Sequence, residues 1–521
     1  VARTRLFNLL ISAWHLNKLQ TILIIRMDFL HYAFVLISLA LIYCGKNLKK
    51  SSRRLPPGPP KLPVIGNFHQ LNVPIHKTFN ELSKEYGDLM FLQLGFVPAV
   101  VVSSSELVRE IYKSCDASCS SRPALHITKT LKHNCLGVAF APYGDYWKEV
   151  RKTVTSELLS AKKVQSFQSL RDEEVIRLMN SIDDTSGPVN LTDLFQILSS
   201  NIICRSAFGH TFHENYKIQG RRCDELMLEL QNLLSSFCLS DFLPFMGFLN
   251  KANGFDAKLR KALRELDDLC NGVLEKHRNM EVHDLHGDDF VDVLLRSQKK
   301  SEGSEAFSDD SVKALVVDMF AAGTDTTSAT MVWAMAELAR NPRVMKKAKE
   351  EVRGAVKDDE RVQEHHLKEL PYLKNVIRET LRHHPPAPLL IPRETTEACT
   401  IKGFEIPART RIFVNAYAVA MDPRVWKDPS KFEPERFEGK SMDFKGQFES
   451  IPFGYGRRMC PGITFAMAVM ELALASVLHH FDWTLPNGVT AETVNMDEAL
   501  GVTVHKETPL LLLARNPLKG R

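Results

Sequence analysis

Apolar residues recur with helical spacing along most of the chain. Residues 165–300 show helical periodicity, and residues 311–340 form one long helical pattern that stops at Asn341-Pro342. Another apolar helical run extends from Ile463 to Leu478. Short strands are predicted around Met90 to Leu94, where apolar residues alternate with others. The pattern predicts a mainly α-helical protein with a minor β part.

The N-terminal sixty residues have a different character. Phe29 to Cys44 is almost wholly apolar and would span about 24 Å as a helix, slightly less than a ~30 Å hydrocarbon core. Lys and Arg residues follow it, which places the chain beyond it in the cytosol. A cleaved signal peptide is the alternative, but its charge would precede the apolar stretch. We expect residues 27–45 to form a membrane-anchor helix and residues 1–26 to be an extension or leader.

Residues 46–60 form a basic flank followed by Pro56-Pro57-Gly58-Pro59-Pro60. Proline fixes φ, so this composition predicts a semi-rigid hinge between the membrane and the folded body. No linker is visible after it, and residues 61–521 are expected to form a single folded domain.

Charge and cysteine usage narrow the class of protein. The net charge is +5, but residues 1–60 hold nine Lys or Arg against one Asp, so the rest of the chain is slightly acidic. Nucleic-acid binding therefore has no support. The ten cysteines lack the spacing of a disulfide framework, and Cys115 with Cys119 is the only close pair. This usage indicates reduced thiols.

The loop from Phe453 to Gly462, with the sequence FGYGRRMCPG, carries the strongest candidate chemistry. Its cysteine, Cys460, stands just before the apolar helical run. Arg457, Arg458 and the N-terminus of the following helix are expected to favour the thiolate over the thiol. A thiolate held in this way is a metal ligand or a nucleophile.

Several interpretations of Cys460 are open. A structural zinc site needs four ligands, and no Cys or His partner stands near in sequence. A nucleophile needs a base, which the sequence leaves open. An axial haem ligand needs one cysteine, because the porphyrin supplies four donors. A dinucleotide loop would need a glycine where Met459 stands. An inert buried thiol is the ordinary expectation for a lone cysteine.

The fixed positions of this loop match the haem-binding signature Phe-x-x-Gly-x-Arg-x-Cys-x-Gly of the cytochrome P450 family through Phe453, Gly456, Arg458, Cys460 and Gly462. The chain resembles this family from Met27 to its C-terminus, with five motifs in the family's order. Its details resemble the plant microsomal group devoted to specialised metabolites. The resemblance implies a triangular helical domain. In it, haem b (iron protoporphyrin IX) lies buried between a long central helix and the loop whose cysteine binds the iron.

Within the long helical pattern, Ala321 to Thr327 is a poor helix sequence, AAGTDTT. Glycine costs ~1 kcal/mol relative to alanine and the threonines are also weak helix formers, so packing or function must favour it. Close helix packing is one explanation. The resemblance supplies another, an oxygen-binding motif. In that motif Gly323 would open a groove over the haem, Thr326 would hydrogen-bond oxygen, and Asp325 would help to deliver protons.

Further arginines are expected at the haem by resemblance. Trp147 and Arg151 lie four apart on a predicted helix and look like the family's propionate clamp, with Arg122 and Arg393 as companions. A surface arginine stacked on an aromatic ring is the alternative.

Two motifs have a structural role by resemblance. Glu379 and Arg382 form an i, i+3 pair, which is usually an ordinary surface ion pair. The resemblance implies that they interlock with Arg436 and fix the loop of Cys460.

The implied activity is that of a haem-thiolate monooxygenase. It would hydroxylate or otherwise oxidise a hydrophobic plant metabolite with O2 and electrons from an NADPH-dependent flavoprotein reductase, docking near Arg457. It would be a single-pass protein of the endoplasmic reticulum membrane whose catalytic domain faces the cytosol. Two other activities are open: rearrangement of a hydroperoxide without O2, and a membrane-anchored haem carrier without turnover.

A terpenoid is the first expectation for the substrate, followed by an alkaloid or a phenolic. The expected substrate contacts are mainly apolar: His126 to Leu131, Val317 to Ala321, Ala387 to Leu390, and Gly501-Val502. The apolar segment from Leu233 to Phe248 would cover the pocket, touch the bilayer or belong to the core.

Overall fold

The computed structural model describes residues 54–517, apart from 131–135, 210–216, 219–220, 223–225, 227–228, 230–232, 234–237, 280–288, 301–306, 358, 442 and 500. The expected N-terminal extension (1–26) and anchor helix (27–45) lie outside the described residues, as does most of the basic flank.

Helices make up most of the described chain. The α-helices are α1 (Ile75–Tyr86), α2 (Ser105–Ser114), α3 (His126–Thr130), α4 (Asp145–Thr153), α5 (Ala161–Ser166), α6 (Gln168–Asp183), α7 (Leu191–Phe208), α8 (Phe248–Ala252), α9 (Phe255–Asn279), α10 (Phe290–Lys300), α11 (Asp309–Arg340), α12 (Pro342–Val356), α13 (Pro371–His383), α14 (Ala416–Ala420) and α15 (Ile463–His480). The strands are β1 (Leu89–Leu94), β2 (Val97–Val102), β3 (Pro188–Asn190), β4 (Lys217–Ile218), β5 (Arg221–Arg222), β6 (Arg393–Glu394), β7 (Cys399–Ile401), β8 (Phe404–Ile406), β9 (Arg411–Val414), β10 (Asp482–Thr484), β11 (Glu498–Ala499), β12 (His505–Lys506) and β13 (Leu511–Arg515).

Helix α11 is the long central helix that the apolar pattern predicts. The Ser308 side chain accepts a hydrogen bond from the Ser311 N–H, and two aspartates occupy the first turn, where negative charge favours the helix dipole. The helix ends at Arg340 because Pro342 cannot continue it and starts α12 instead. The predicted span is confirmed, with a start two residues earlier.

Most of the core surrounds α11, α15 and α7. The indole of Trp333 on α11 is fully buried. Among the described residues, α15 is long and apolar enough to cross a membrane, but most of it is buried, so it is a core helix.

The β part is small, as predicted. The four-stranded sheet has the order β1-β2-β9-β6, in which β2 and β9 are parallel and the other neighbours antiparallel. A second sheet has the order β10-β13-β3. The mainly α fold with a minor β part is confirmed.

The proline-rich segment packs on the first sheet. The Phe91 N–H of β1 donates to the Pro57 carbonyl at 2.8 Å, and the Asn67 amide donates to the Pro59 carbonyl at 3.1 Å. A Cβ on Gly58 would lie 2.0 Å from the Phe91 carbonyl oxygen, so only glycine fits. From Pro57 onward the proline-rich segment is therefore held against the folded body by these contacts.

Candidate active site

The loop of Cys460 is a tight turn closed by its own backbone. The Cys460 N–H donates to the Phe453 carbonyl at 2.9 Å, and the Gly462 N–H donates to the Cys460 Sγ at 3.3 Å. Gly456 has a φ of +63°, and a Cβ there would lie 2.4 Å from an Asp116 carboxylate oxygen. Glycine is required at this position both by the backbone conformation and by this contact.

The surroundings of Cys460 correct one expectation. Burial raises the pKa of the thiol, whereas the Gly462 N–H and the Arg151 guanidinium lower it. Arg457 and Arg458 were expected to supply the cationic charge. The structure assigns that role to Arg151, which donates to the carbonyl of Met459, the residue before the cysteine.

The two expected cations have other partners. Arg457 donates to the Asp116 carboxylate at 3.0 Å. Arg458 is buried, and its Nε donates to the Ser120 carbonyl at 2.7 Å. Both arginines therefore tie the cysteine loop to residues 116–120, and neither lies beside the thiol.

Trp147 and two arginines meet at the loop of residues 137–141. The Trp147 indole N–H donates to the Val138 carbonyl at 3.0 Å, and Arg458 donates to the same oxygen at 3.2 Å. The Arg458 guanidinium stands 4.1 Å from the centre of the Trp147 ring. Arg122 donates to the neighbouring Ala139 carbonyl at 2.9 Å. The structure thus brings together three of the residues predicted to hold the haem.

This cluster carries an excess of buried positive charge. Within the described chain, Arg122, Arg151 and Arg458 make no ion pair with a carboxylate, and their hydrogen bonds run to backbone carbonyls. Burial lowers the pKa of all three, and neighbouring guanidiniums lower that of Arg458 further, to about 9. Arg393 differs, because it pairs with Asp116 at 3.0 Å.

Buried cations are normally paired with anions, because burying an unpaired charge is costly. An anionic group with several carboxylate oxygens would satisfy these guanidiniums, and the two propionates of haem b have this chemistry. Together with the Cys460 sulfur, the donor set fits haem.

Part of the AAGTDTT motif of α11 serves helix packing. A Cβ on Gly323 would lie 2.4 Å from Ile203 Cδ1, so this glycine lets α11 approach α7. The packing explanation therefore accounts for the missing Cβ of Gly323. The Thr326 hydroxyl donates to the Ala322 carbonyl at 2.8 Å. Ala322 is exposed and Thr326 is partly exposed, so this face of α11 is only partly covered within the described chain.

Asp325 has a partner that the sequence did not predict. Its Oδ1 lies 2.9 Å from His505 Nε2 on β12. Asp325 is buried, whereas the His505 side chain is 34% exposed. No local sequence signal connects the two, because they lie 180 positions apart.

Asp318 is a second residue that sequence reasoning missed. It precedes Ala322 and Thr326 at successive four-residue steps, so the three share one face of α11. It accepts a hydrogen bond from the Ala139 N–H at 2.9 Å, which fixes the loop that binds Arg122 and Arg458. Burial raises the pKa of Asp318 to about 6. Its four-residue spacing from Ala322 and Thr326 is the sequence signal that could have identified it.

Glu379, Arg382 and Arg436 form one buried network. Arg382 donates to both carboxylate oxygens of Glu379, at 2.7 and 2.8 Å, and Arg436 donates to the same carboxylate at 2.9 Å. Neither Glu379 nor Arg382 is exposed, so the pair is not an ordinary surface ion pair. Arg382 also donates to the Ala420 and Pro429 carbonyls, which fixes the chain leading to the cysteine loop.

The residues expected to contact the substrate lie in different surroundings. The His126 ring pairs with Asp256 on α9 at 2.9 Å, and Leu131 lies outside the described residues. Leu390 has a φ of +52°, and its Cδ1 stands 3.8 Å from where a Cβ on Gly454 would be, so it borders the cysteine loop.

Comparisons with known proteins agree with this geometry. The cytochrome P450 family model matches residues 56–513. The chain is 49% identical to cytochrome P450 71A9 of Glycine max, over 92% of this chain and 97% of that protein. It is 46% identical to strychnine-11-hydroxylase of Strychnos nux-vomica, over 96% of this chain and 98% of that protein. It is 45% identical to costunolide synthase of Lactuca sativa, over 87% and 92%.

The fold is also that of solved structures. A zebra fish cytochrome P450, solved with progesterone, superimposes with a TM-score of 0.72 at 25% identity, covering 85% of this chain and 100% of that one. A family match over most of the chain, near-complete relatives and a shared fold lead to one conclusion: the chain belongs to the cytochrome P450 family.

Proposed function

We propose that this cytochrome P450 monooxygenase holds haem b through the Cys460 sulfur and oxidises a hydrophobic plant metabolite, a terpenoid in the first instance. Its family implies haem, O2, a hydrophobic substrate and a redox partner. The assignment of individual residues rests on one observation above all. Arg151 lies at the cysteine loop and is partly buried, Arg122 and Arg458 are buried beside it at residues 138–141, and none of the three has a described carboxylate partner. Haem supplies both an iron for the sulfur and two anions for the guanidiniums.

When bound, a haem with a thiolate ligand supplies the chemistry that cleaves the O–O bond of dioxygen. The Cys460 sulfur would be the iron ligand, and the Gly462 N–H that donates to it at 3.3 Å would stabilise its negative charge. Arg122, Arg151 and Arg458 would bind the propionates. Arg393 would contribute less, because Asp116 already satisfies it.

The remaining chemistry is delivery of protons from solvent. His505 is partly exposed and contacts the buried Asp325, so a proton can enter at the imidazole and pass to the carboxylate. Thr326, next on the helix, is partly exposed, and its hydroxyl donates to the Ala322 carbonyl, which leaves the hydroxyl oxygen able to accept a hydrogen bond. We assign Asp325 and Thr326 to the final transfer and His505 to the connection with solvent.

An exposed apolar surface supports attachment to a membrane. Phe245 and Phe248 are 59% and 64% exposed, and the Phe245 ring contacts the exposed Phe96 edge-on at 5.8 Å. The surface lies in and beside the apolar segment from Leu233 to Phe248. We propose that it touches the bilayer, with residues 27–45 as a single-pass anchor, residues 46–60 as its connection, and residues 61–521 as the catalytic domain. The location would be the cytosolic face of the endoplasmic reticulum.

The electron donor would be an NADPH-dependent flavoprotein reductase in the same membrane. Arg457 is about half exposed on the cysteine loop, so it is a candidate contact for an acidic surface of that partner.

The relatives support the proposed substrate class. Costunolide is a terpenoid and strychnine an alkaloid, and the proteins named for them are 45% and 46% identical to this chain. Both names refer to hydrophobic plant metabolites. We place a terpenoid first and an alkaloid second, with a phenolic behind them.

The deciding experiment is a turnover assay in microsomes that contain the full-length chain and a plant reductase, with a panel of terpenoids, alkaloids and phenolics. Product masses one oxygen above the substrate, formed only with NADPH and O2, are expected for a terpenoid. Conversion of a hydroperoxide without NADPH would replace the proposal with a rearrangement activity. Haem binding without substrate-dependent NADPH consumption would make the chain a haem carrier.

A further inference from the structure

Three cysteines that have no part in the haem site meet at one point. Cys115 and Cys119 follow the end of α2, and Cys399 begins β7. The Cys119 Sγ lies 3.7 Å from the Sγ of Cys115 and 3.7 Å from that of Cys399. All three sulfurs lie within 4.8 Å of one another. The only close cysteine pair in the sequence therefore gains a third thiol through the fold.

We propose that Cys115, Cys119 and Cys399 form a thiolate site for a soft d10 cation, Zn²⁺ or Cu⁺. Sulfurs bound at about 2.3 Å to a tetrahedral ion lie about 3.8 Å apart. The two 3.7 Å separations already match this spacing, so binding needs little movement. Thiolates select zinc and Cu(I) over hard cations such as Mg²⁺.

The Tyr455 hydroxyl is an independent sign of a missing ligand. The side chain is 3% exposed and belongs to the same apolar cluster as the thiols, yet within the described chain its hydroxyl has no hydrogen-bond partner. Buried polar groups are almost always satisfied. Thiols are weak acceptors, whereas a metal-bound thiolate accepts strongly, so occupation of the site would give this phenol its partner.

The Tyr455 phenol keeps its proton. Burial raises its pKa to about 12. The phenol therefore remains a donor at neutral pH. Arg393, whose guanidinium stands 4.1 Å from the centre of the Tyr455 ring, supplies positive charge on the other side.

Access and stoichiometry favour a metal over a disulfide. Cys399 is partly exposed, which gives an ion a route to the two buried sulfurs. A disulfide would join two of the three sulfurs, leave the third unused, and need an oxidant. A cation uses all three, and water or no ligand at all can complete the coordination of Zn²⁺ or Cu⁺ respectively.

The thiolate site would stabilise the loop of Cys460 through the turn between Cys115 and Cys119. The turn between Cys115 and Cys119 carries Asp116, which accepts hydrogen bonds from Arg393 and Arg457. The carbonyl of Ser120, the next residue, accepts from Arg458. An ion bound to the three thiolates would hold this turn, and through it the arginines of the haem site.

The test uses the full-length haem-loaded enzyme, reduced, stripped with a chelator and kept anaerobic. Zn²⁺ and, separately, Cu⁺ are titrated in competition with a chromophoric chelator for each. One equivalent of at least one ion is expected to bind per chain in addition to the haem iron. Cys399→Ala should weaken it at least about tenfold, and Tyr455→Phe should weaken it less. Cys270→Ala, which removes another buried cysteine, on α9, is the matched control and should bind as wild type.

Two further readouts do not depend on turnover. The bound ion should protect Cys115, Cys119 and Cys399 from alkylation, mapped by peptide mass, and should raise the thermal midpoint of the wild type but not of Cys399→Ala. The ferrous-CO spectrum confirms that each variant has folded. Binding of neither ion, equal binding by Cys399→Ala and Cys270→Ala, or an intact mass lighter by two hydrogens before reduction would overturn the proposal.

Discussion

The Asp325 carboxylate on the central helix lies 2.9 Å from the Nε2 of His505, which belongs to strand β12 near the C-terminus. The Asp325 side chain is 12% exposed and that of His505 is 34% exposed, so the pair leads from the buried helix to solvent. Its two members can exchange a proton directly. The acid of the helical motif is thus connected to water through a residue far away in sequence.

Replacing His505 by glutamine should uncouple NADPH consumption from product formation. The amide keeps a hydrogen bond to Asp325 but cannot carry a proton, so product formed per NADPH should fall about tenfold or more. The measurement is NADPH consumed, peroxide released and product formed in one assay. His480→Gln, at another partly buried histidine, is the control and should couple as wild type. Equal coupling in both variants would remove His505 from the proton path.

Arg458→Gln should loosen the haem. This guanidinium is buried against backbone carbonyls and has no described carboxylate partner, so a propionate is its expected anion. A hydrogen bond to a charged group contributes about 1.5–3 kcal/mol, which corresponds to haem release about tenfold to a hundredfold faster. Transfer of haem to an excess of apomyoglobin measures this rate. Arg457→Gln, at the half-exposed neighbour, should release haem at nearly the wild-type rate; if it does not, the two arginines have been assigned wrongly.

Glu379→Gln should prevent accumulation of folded enzyme. It leaves the charge of Arg382 buried without its carboxylate, which typically costs about 3–5 kcal/mol. Glu81→Gln breaks a pair with the same i, i+3 spacing, but with Lys84 at the surface, where the side chains are 63% and 66% exposed. That control should change the free energy of unfolding by less than about 1 kcal/mol. Comparable yields of haem-loaded protein from the two variants would contradict the proposed structural role.

Asp318 should make stability depend on pH in a defined direction. Its pKa in the folded protein is about 6, above the ordinary 3.8. A carboxyl whose pKa is raised by folding stabilises the fold while protonated, and this contribution is lost as the pH rises through about 6. Asp318→Asn does not titrate, so its free energy of unfolding relative to wild type should rise by about 1 kcal/mol between pH 5 and 7.5.

Urea unfolding at the two pH values measures that change. Asp443→Asn, at an exposed carboxyl, is the control and should show no such trend. A difference between Asp318→Asn and wild type that stays constant with pH would show that the burial of this carboxyl does not affect stability.

The long elements and the motifs within them could be predicted from sequence because their signals are local. Helix α11 shows its apolar period and its terminal proline, and the i, i+3 spacing of Glu379 and Arg382 places both on one helix face. The cysteine loop is similarly contained within ten residues. Each of these depends on neighbours in sequence, so a pattern is sufficient.

The remainder depends on contacts between distant segments. Asp116 accepts hydrogen bonds from Arg457, 341 positions away, and nothing around it in sequence indicates this. What a Cβ on Gly323 would contact depends on how α7 packs against α11. Which cation lies beside Cys460 depends on where α4 places Arg151. A local motif names the residue type that is needed but not the partner that it meets.

The central claim is that the sulfur of Cys460 binds the haem iron, and the Soret band of the ferrous-CO complex tests it most directly. Wild-type enzyme in microsomes should show the red-shifted band of thiolate ligation, and Cys460→Ala should lose it while the protein is still detected by immunoblot. Retention of the thiolate-type band in Cys460→Ala, or a wild-type band typical of nitrogen ligation, would contradict the account.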